Sequence, residues 1–405
     1  MKRFYRYHPL SIILLFSMIS LLVLFSKANA EEVRGVTDEL IKIGAIIDQT
    51  GPAANIGIPL ASGSAVHIRH INDQGSINGR KLKFILEDDH YSIPIGIAAF
   101  KKLVFKDNIF ALIGPASVGE SRTLFRQMEK FKLPTIVESP DYAAVTPFKR
   151  YVFMPVDQYE QEMGVSFEYI LKDLKAKEPR ITYVYYDKES GKICMESAKK
   201  WAKVLGLKNM NFEVLPLGAL DAASQVMSIK RKGVDYILIH HPGPGAVALL
   251  RSMKQFRLKV PVFGDIISCS EDVVRLIGES GKHFFATSPV SPWYHDSPGM
   301  KKLRDITLSY FPGTEKPYRN LYYTIGWMVS EVLCEGIKRA GNNLTAETLV
   351  DNLETLRNYD TAGLCGPINI TSKTHQFLDS CKIFRADPTT GTVVPITNWR
   401  EPPDM

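Results

Sequence analysis

The stretch Phe110-Ala-Leu-Ile-Gly-Pro-Ala-Ser-Val-Gly-Glu-Ser121 constrains the fold more than any other. A short apolar run ends at Gly114-Pro115, small residues follow, and helical apolar spacing resumes from Glu120 to Phe131. This pattern reads as a buried strand, a tight turn and the amino end of a helix. The first N–H groups of a helix have no intrahelical partner and carry partial positive charge, so they can hold a polar or anionic group. In open α/β sheets ligands sit at this junction, outside the carboxyl ends of the strands.

The same rhythm runs along the chain. Strands are predicted at 40–47, 82–86, 110–113 and 134–137, with helices at 59–72, 94–105 and 120–131 between them. Tyr151 to Pro155 leads into a second set. Its helices fall at 159–174, 193–205, 223–232 and 246–256, and its strands at 181–186, 212–215, 236–239 and 260–263. A short helix closing at Ile277, a strand at 284–286 and helical patterns at 299–311, 318–339 and 346–356 come next. A terminal hairpin of Gly366–Ile370 and Cys381–Phe384 ends the pattern. Alternating strand and helix predicts α/β architecture with parallel sheets and right-handed crossovers. At 405 residues there is room for two such cores.

Residues 1–30 read as an export signal: Lys2, Arg3 and Arg6, an apolar run from Leu10 to Phe25, then Ala28-Asn29-Ala30. An amino-terminal membrane anchor is the competing reading, against which the run is short. No Cys precedes Cys194, so no lipid-attachment cysteine is expected and the mature protein should be soluble in the periplasm. The formal charge of +7 comes from 50 basic and 43 acidic residues. Removing Lys2, Arg3, Arg6 and Lys27 leaves 46 against 43, or +3, dispersed as on a solvated surface, which argues against nucleic acid. Five cysteines cannot all pair within one chain; Cys365 and Cys381 flank the terminal hairpin and are the expected disulfide in an oxidising compartment.

Enzyme signatures come close and fail. Pro115-Ala-Ser-Val-Gly119 has Pro where a nucleophile elbow needs Gly. Gly243-Pro-Gly245, with Asp265 twenty residues on, mimics a dinucleotide fingerprint, yet Pro244 removes a donor from the turn. His240 and His241 have no partners at metal spacing and read as a strand end and a pocket wall. No catalytic residue, cofactor or metal is expected.

An ordered set of residues carries a resemblance. Ile43-Gly44, Thr50-Gly51-Pro52-Ala53, Gly57, Gly63, Ile71-Asn72, Gly75-Ser-Ile-Asn-Gly79-Arg80-Lys81, Asp88-Asp89, Pro94 and Gly114-Pro115…Ser117 form its first half. Asp187-Lys188…Gly191, Leu250-Arg251, Gly264 and Gly366-Pro367-Ile368 form its second. In this the chain resembles the type I periplasmic solute-binding proteins of ABC importers, leucine/isoleucine/valine class. The resemblance implies two doubly wound parallel-sheet lobes joined by three hinge crossings near 151–156, 285–288 and 365–368. Lobe 1 would be 31–153 with 287–364, and lobe 2 154–286 with 365–405. It also implies a ligand in the cleft, closure of the lobes over it, and delivery to a permease and ATPase by a monomer. An exported sensor with a separate signalling partner is the alternative.

Carried over position by position, the family's carboxylate-binding serine falls on Val118 and its Ala-x-Thr segment ends on Pro140 and Asp141. The cleft tyrosine falls on Ser190, and the acid that meets the α-ammonium on Ile266, beside Asp265. Ser117, Ser139 and backbone N–H groups remain for a carboxylate, which Asp141 and Glu138 would repel. The expected contacts are Ala116, Ser117, Val118, Ser139, Asp141, Ser190, His241, Pro242, Asp265 and Ile266. The expected ligand is a small polar solute: a branched-chain amino acid, or one with hydroxyl, amide or cationic groups.

Overall fold

The computed structural model describes residues 33–312 and 319–404. The expected export signal lies outside the described residues. Two sheets organise the chain. The first has strand order β2-β1-β3-β4-β5, all parallel, from Leu40–Ile46 (β1), Lys81–Glu87 (β2), Ala111–Ile113 (β3), Thr135–Ile136 (β4) and Val152–Phe153 (β5). The second runs β7-β6-β8-β9-β10 in parallel, from Ile181–Tyr185 (β6), Met210–Val214 (β7), Tyr236–His240 (β8), Val262–Gly264 (β9) and Phe284–Ser288 (β10). Lys382–Asp387 (β11) and Thr392–Pro395 (β12) then add antiparallel strands at its edge. The β1 and β3 strands are fully apolar where buried, as parallel strands covered on both faces must be.

Both sheets reverse strand order next to their first strand, at β1/β3 and at β6/β8. Such a switch point leaves a crevice, because the crossover helices on either side lie on opposite faces. The helix Ala54–Asp73 covers the first sheet and crosses Leu321–Ala340 at backbone distance. A Cβ on Gly63 would lie 2.2 Å from the Tyr323 carbonyl, and one on Gly326 1.9 Å from that of Leu60, so glycine is needed at both. The Ser64 hydroxyl donates to the Gly326 carbonyl at 2.9 Å across this contact.

Four expectations are corrected. The helix expected at 59–72 begins at Ala54, with Pro59 inside it. Near a helix start Pro removes only one intrahelical bond, and the apolar face continues through it. The helix expected at 193–205 begins at Glu189, which puts Ser190 and Gly191 in its first turn. The terminal hairpin is β11–β12, whereas Ile368 makes an isolated bridge to Tyr359. The expected Cys365–Cys381 disulfide is consequently absent, and both are buried free thiols. Cys365 bridges Val290 and its sulfur lies 3.3 Å from the Thr361 hydroxyl. Cys381 bridges Arg400 and packs with Val165 and Ile383.

Candidate functional site

The two switch points face each other, and the residues just past their strands enclose a cleft. An inner chamber of ≈ 50 Å³ is walled from the first sheet by Asp48, Tyr91, Ala116, Val118 and Glu138, and from the second by Tyr186, Ser190, Pro242 and Ile267, with Tyr159 on the helix between the two sheets. An outer chamber of ≈ 390 Å³ shares Val118, Tyr159 and Ser190 with it and extends past Arg122, Pro140, Asp141, Tyr142 and Ile193. The Tyr91 hydroxyl faces that of Tyr186 across the cleft. At the rim, Arg122 and Glu189 form an ion pair at 3.5 Å.

Four of the expected contacts (Ala116, Val118, Ser190 and Pro242) line the inner chamber, and Asp141 lines the outer one. Ser117, Ser139, His241, Asp265 and Ile266 line neither. The Ser117 hydroxyl makes no capping bond to the Val118–Lys130 helix, and Ser139 donates to Ser121 at 2.9 Å. His241 is engaged by the Pro242 and Pro216 carbonyls at 3.0 and 3.4 Å. The Ile266 N–H donates to Glu162, and its carbonyl accepts from Tyr322 at 2.7 Å.

The Asp141 charge, expected to face the ligand, is met within the protein by Arg122. Arg122 holds both its oxygens, Nε to Oδ2 at 2.6 Å and a terminal nitrogen to Oδ1 at 2.8 Å, and Asp141 is only 4% exposed. A two-pronged guanidinium contact of this kind neutralises the carboxylate and holds it in place.

The histidine of the site is His240, the last residue of β8 and fully buried. Its Nδ1 is bonded to Asp265 Oδ2, and its Nε2 lies 2.9 Å from the Ser190 hydroxyl. Ser268 donates to the other Asp265 oxygen at 2.8 Å. A carboxylate only accepts, so Nδ1 carries a proton toward Asp265, and Nε2 faces the Ser190 hydroxyl. This order is that of a nucleophile, base and acid. Ser190, however, sits in the first turn of a regular helix with negative φ, not on a strained turn. The array fixes which way the Ser190 hydroxyl points.

Asp48 and Glu138 line the inner chamber, and Asp88, Asp89 and Glu120 lie near Asp48. Burial pushes Glu138 up to about 8, and burial followed by Asp89 and Asp48 pushes Glu120 up to about 10. Asp48, Asp88 and Asp89 bring oxygens within 4.8 Å of one another, the spacing of a cation site. Asp48 accepts from the Gly51 and Ala53 N–H groups, however, and Asp88 from Gln49 and His90. Tyr91, Tyr159 and Tyr186 were not singled out in the sequence; the available signal was position, since Tyr186 directly follows β6 and Asp48 lies two residues past β1.

With this geometry in view, the match to known proteins is decisive: residues 40–392 fit the model of the family described as periplasmic binding protein. The chain belongs to that family. This periplasmic binding protein is 23% identical over 306 residues to the leucine-, isoleucine-, valine-, threonine- and alanine-binding protein of Pseudomonas aeruginosa, covering 75% of this chain and 79% of that one. Its fold matches a branched-chain amino acid ABC transporter protein of Thermus thermophilus solved with valine, at TM-score 0.83 and 20% identity over 90% and 97% of the two chains. It also matches a fatty acid ABC transporter substrate-binding protein from Thermomonospora curvata, at TM-score 0.79 and 22% identity over 92% and 95%. Among the described residues no helix is long and apolar enough to cross a membrane.

Proposed function

We propose that this chain is the periplasmic substrate-binding component of an ABC importer, binding a small polar solute without chemical turnover. The solute is a branched-chain amino acid or a related amide, hydroxyl or amine compound. The observation that carries the reading is the inner chamber, whose walls come from both sheets, so that a ligand filling it favours the closed arrangement. Family membership and the names of the relatives support transport as the purpose.

In this reading residues 1–30 are removed on export, and the monomer delivers its solute to a permease and ATPase in the inner membrane. The lobes follow the two sheets, with crossings after β5 and after β10. The Ile370–Leu356 and Phe377–Met154 backbone bonds support a third crossing between Phe377 and Lys382, later than the expected 365–368. Native mass spectrometry of protein purified from its own periplasm should reveal a bound small molecule. The same compound should raise the melting temperature by mass action. Protein that carries no solute, and shows no shift with amino acids, amides, alcohols or amines, would overturn the proposal.

A further inference from the structure

We infer that the inner chamber is a cation site: it takes an ammonium group of the ligand, with Glu138 as charge partner and Tyr91, Tyr159 and Tyr186 as walls. This rests on the cleft being the ligand site and names the chemistry that the site selects. Glu138 carries the argument. It is nine-tenths buried, lines the chamber, and its Oε1 has no hydrogen-bond partner. A buried carboxyl oxygen left unpaired is costly, so the group that fills the chamber has to bring a donor.

Three further observations point the same way. No Lys or Arg lines the chamber, and the second acid there, Asp48, has its oxygens on the Gly51 and Ala53 N–H groups. Asp48 therefore adds negative potential without competing for the ligand. Ser190, 2.9 Å from His240 Nε2, adds a neutral hydroxyl to the chamber wall and no positive charge. Tyr91, Tyr159 and Tyr186 all line the chamber, and aromatic rings of this kind attract a desolvated cation.

Size sets the rest. A volume of ≈ 50 Å³ is that of about two waters, enough for an ammonium and its first carbon. The remainder of the molecule passes Val118 into the outer chamber, where Pro140, Tyr142 and Ile193 suit an apolar tail. A carboxylate would bring only acceptors and a negative charge to a chamber that holds two acids and no cation, so it is the disfavoured occupant.

Isobutylamine, isobutanol and isobutyrate share a shape and differ in charge, so calorimetric titration of the purified protein with each isolates the charge. The amine is expected to bind at least tenfold tighter than the alcohol, with the carboxylate undetected. Glu138→Gln should bring amine and alcohol within twofold of each other while leaving the circular dichroism spectrum unchanged. If that variant does not fold, the wild-type ranking decides alone. A carboxylate that binds as well as the amine, or an amine preference below twofold in the wild type, overturns the inference. A solute found by native mass spectrometry that lacks a basic nitrogen would sink this inference and leave the transport reading standing. The absence of any solute or shift would sink both.

Discussion

Replacing Glu138 by Gln should stabilise the ligand-free protein at high pH and leave it unaffected, or slightly weaker, at low pH. The side chain is buried without a partner for Oε1, and burial raises its carboxyl from 4.5 to about 8. The native state therefore holds this proton more tightly than the unfolded chain. The stability that comes from this is fully present below about pH 4.5 and is lost as pH rises toward about 8. Each pH unit in that window corresponds to about 1.4 kcal/mol, so between pH 5 and pH 9 the wild type loses about 4 kcal/mol through this group. That is a ceiling, since water entry or relaxation lowers it. The amide does not titrate, and its own imperfect hydrogen bonding, about 1–2 kcal/mol, is the same at both pH values and cancels in the difference. At roughly 2–4 °C per kcal/mol, the variant's melting temperature relative to wild type should be higher at pH 9 than at pH 5 by up to about 8–16 °C. Glu120 and Glu271, raised to about 10 and about 7, titrate in the same sense but remain in both proteins. Differential scanning calorimetry at the two pH values measures the shift. An identical effect of the substitution at pH 5 and pH 9 would refute the reasoning, because it would mean that Glu138 is ionised and paired throughout.

Other outcomes are equally specific. Asp141→Asn removes the charge partner of Arg122 and should lower the stability of the ligand-free protein by about 1–2 kcal/mol in chemical denaturation, the buried carboxylate being paired with a partly exposed guanidinium; unchanged stability would leave Asp141 to act as a ligand contact. Thiol titration of the denatured, unreduced protein should count five free cysteines, and reductant should not shift the melting temperature; three thiols would mean that a disulfide forms after all. Ser190 should not be labelled by a fluorophosphonate probe, despite its bond to His240, and a covalent adduct at Ser190 on peptide mapping would make the array catalytic.

The sequence by itself determined the elements and their order. Strands such as Leu40–Ile46 and Tyr236–His240 are short apolar runs between turn residues, and the helix Ala223–Lys232 matches its apolar spacing residue for residue. These are local properties, set by backbone preference and periodicity, and one chain shows them without its fold. The turn after Phe110–Ile113 was legible as a ligand position for the same reason, and Ala116 and Val118 do line the cleft. The partners of polar side chains were not legible. Asp141 looked like a free charge until Arg122, nineteen residues away, closed on both of its oxygens. Asp265 and Ser190 were named without His240 between them, because the bonds join segments 50 and 25 residues apart. Cys365 and Cys381 flanked an imagined hairpin, and only strand pairing with Val290 and Arg400 sent them to different surroundings. Hydrogen bonds and charge pairs depend on distances of a few tenths of an ångström between distant parts of the chain, which the tertiary packing alone decides.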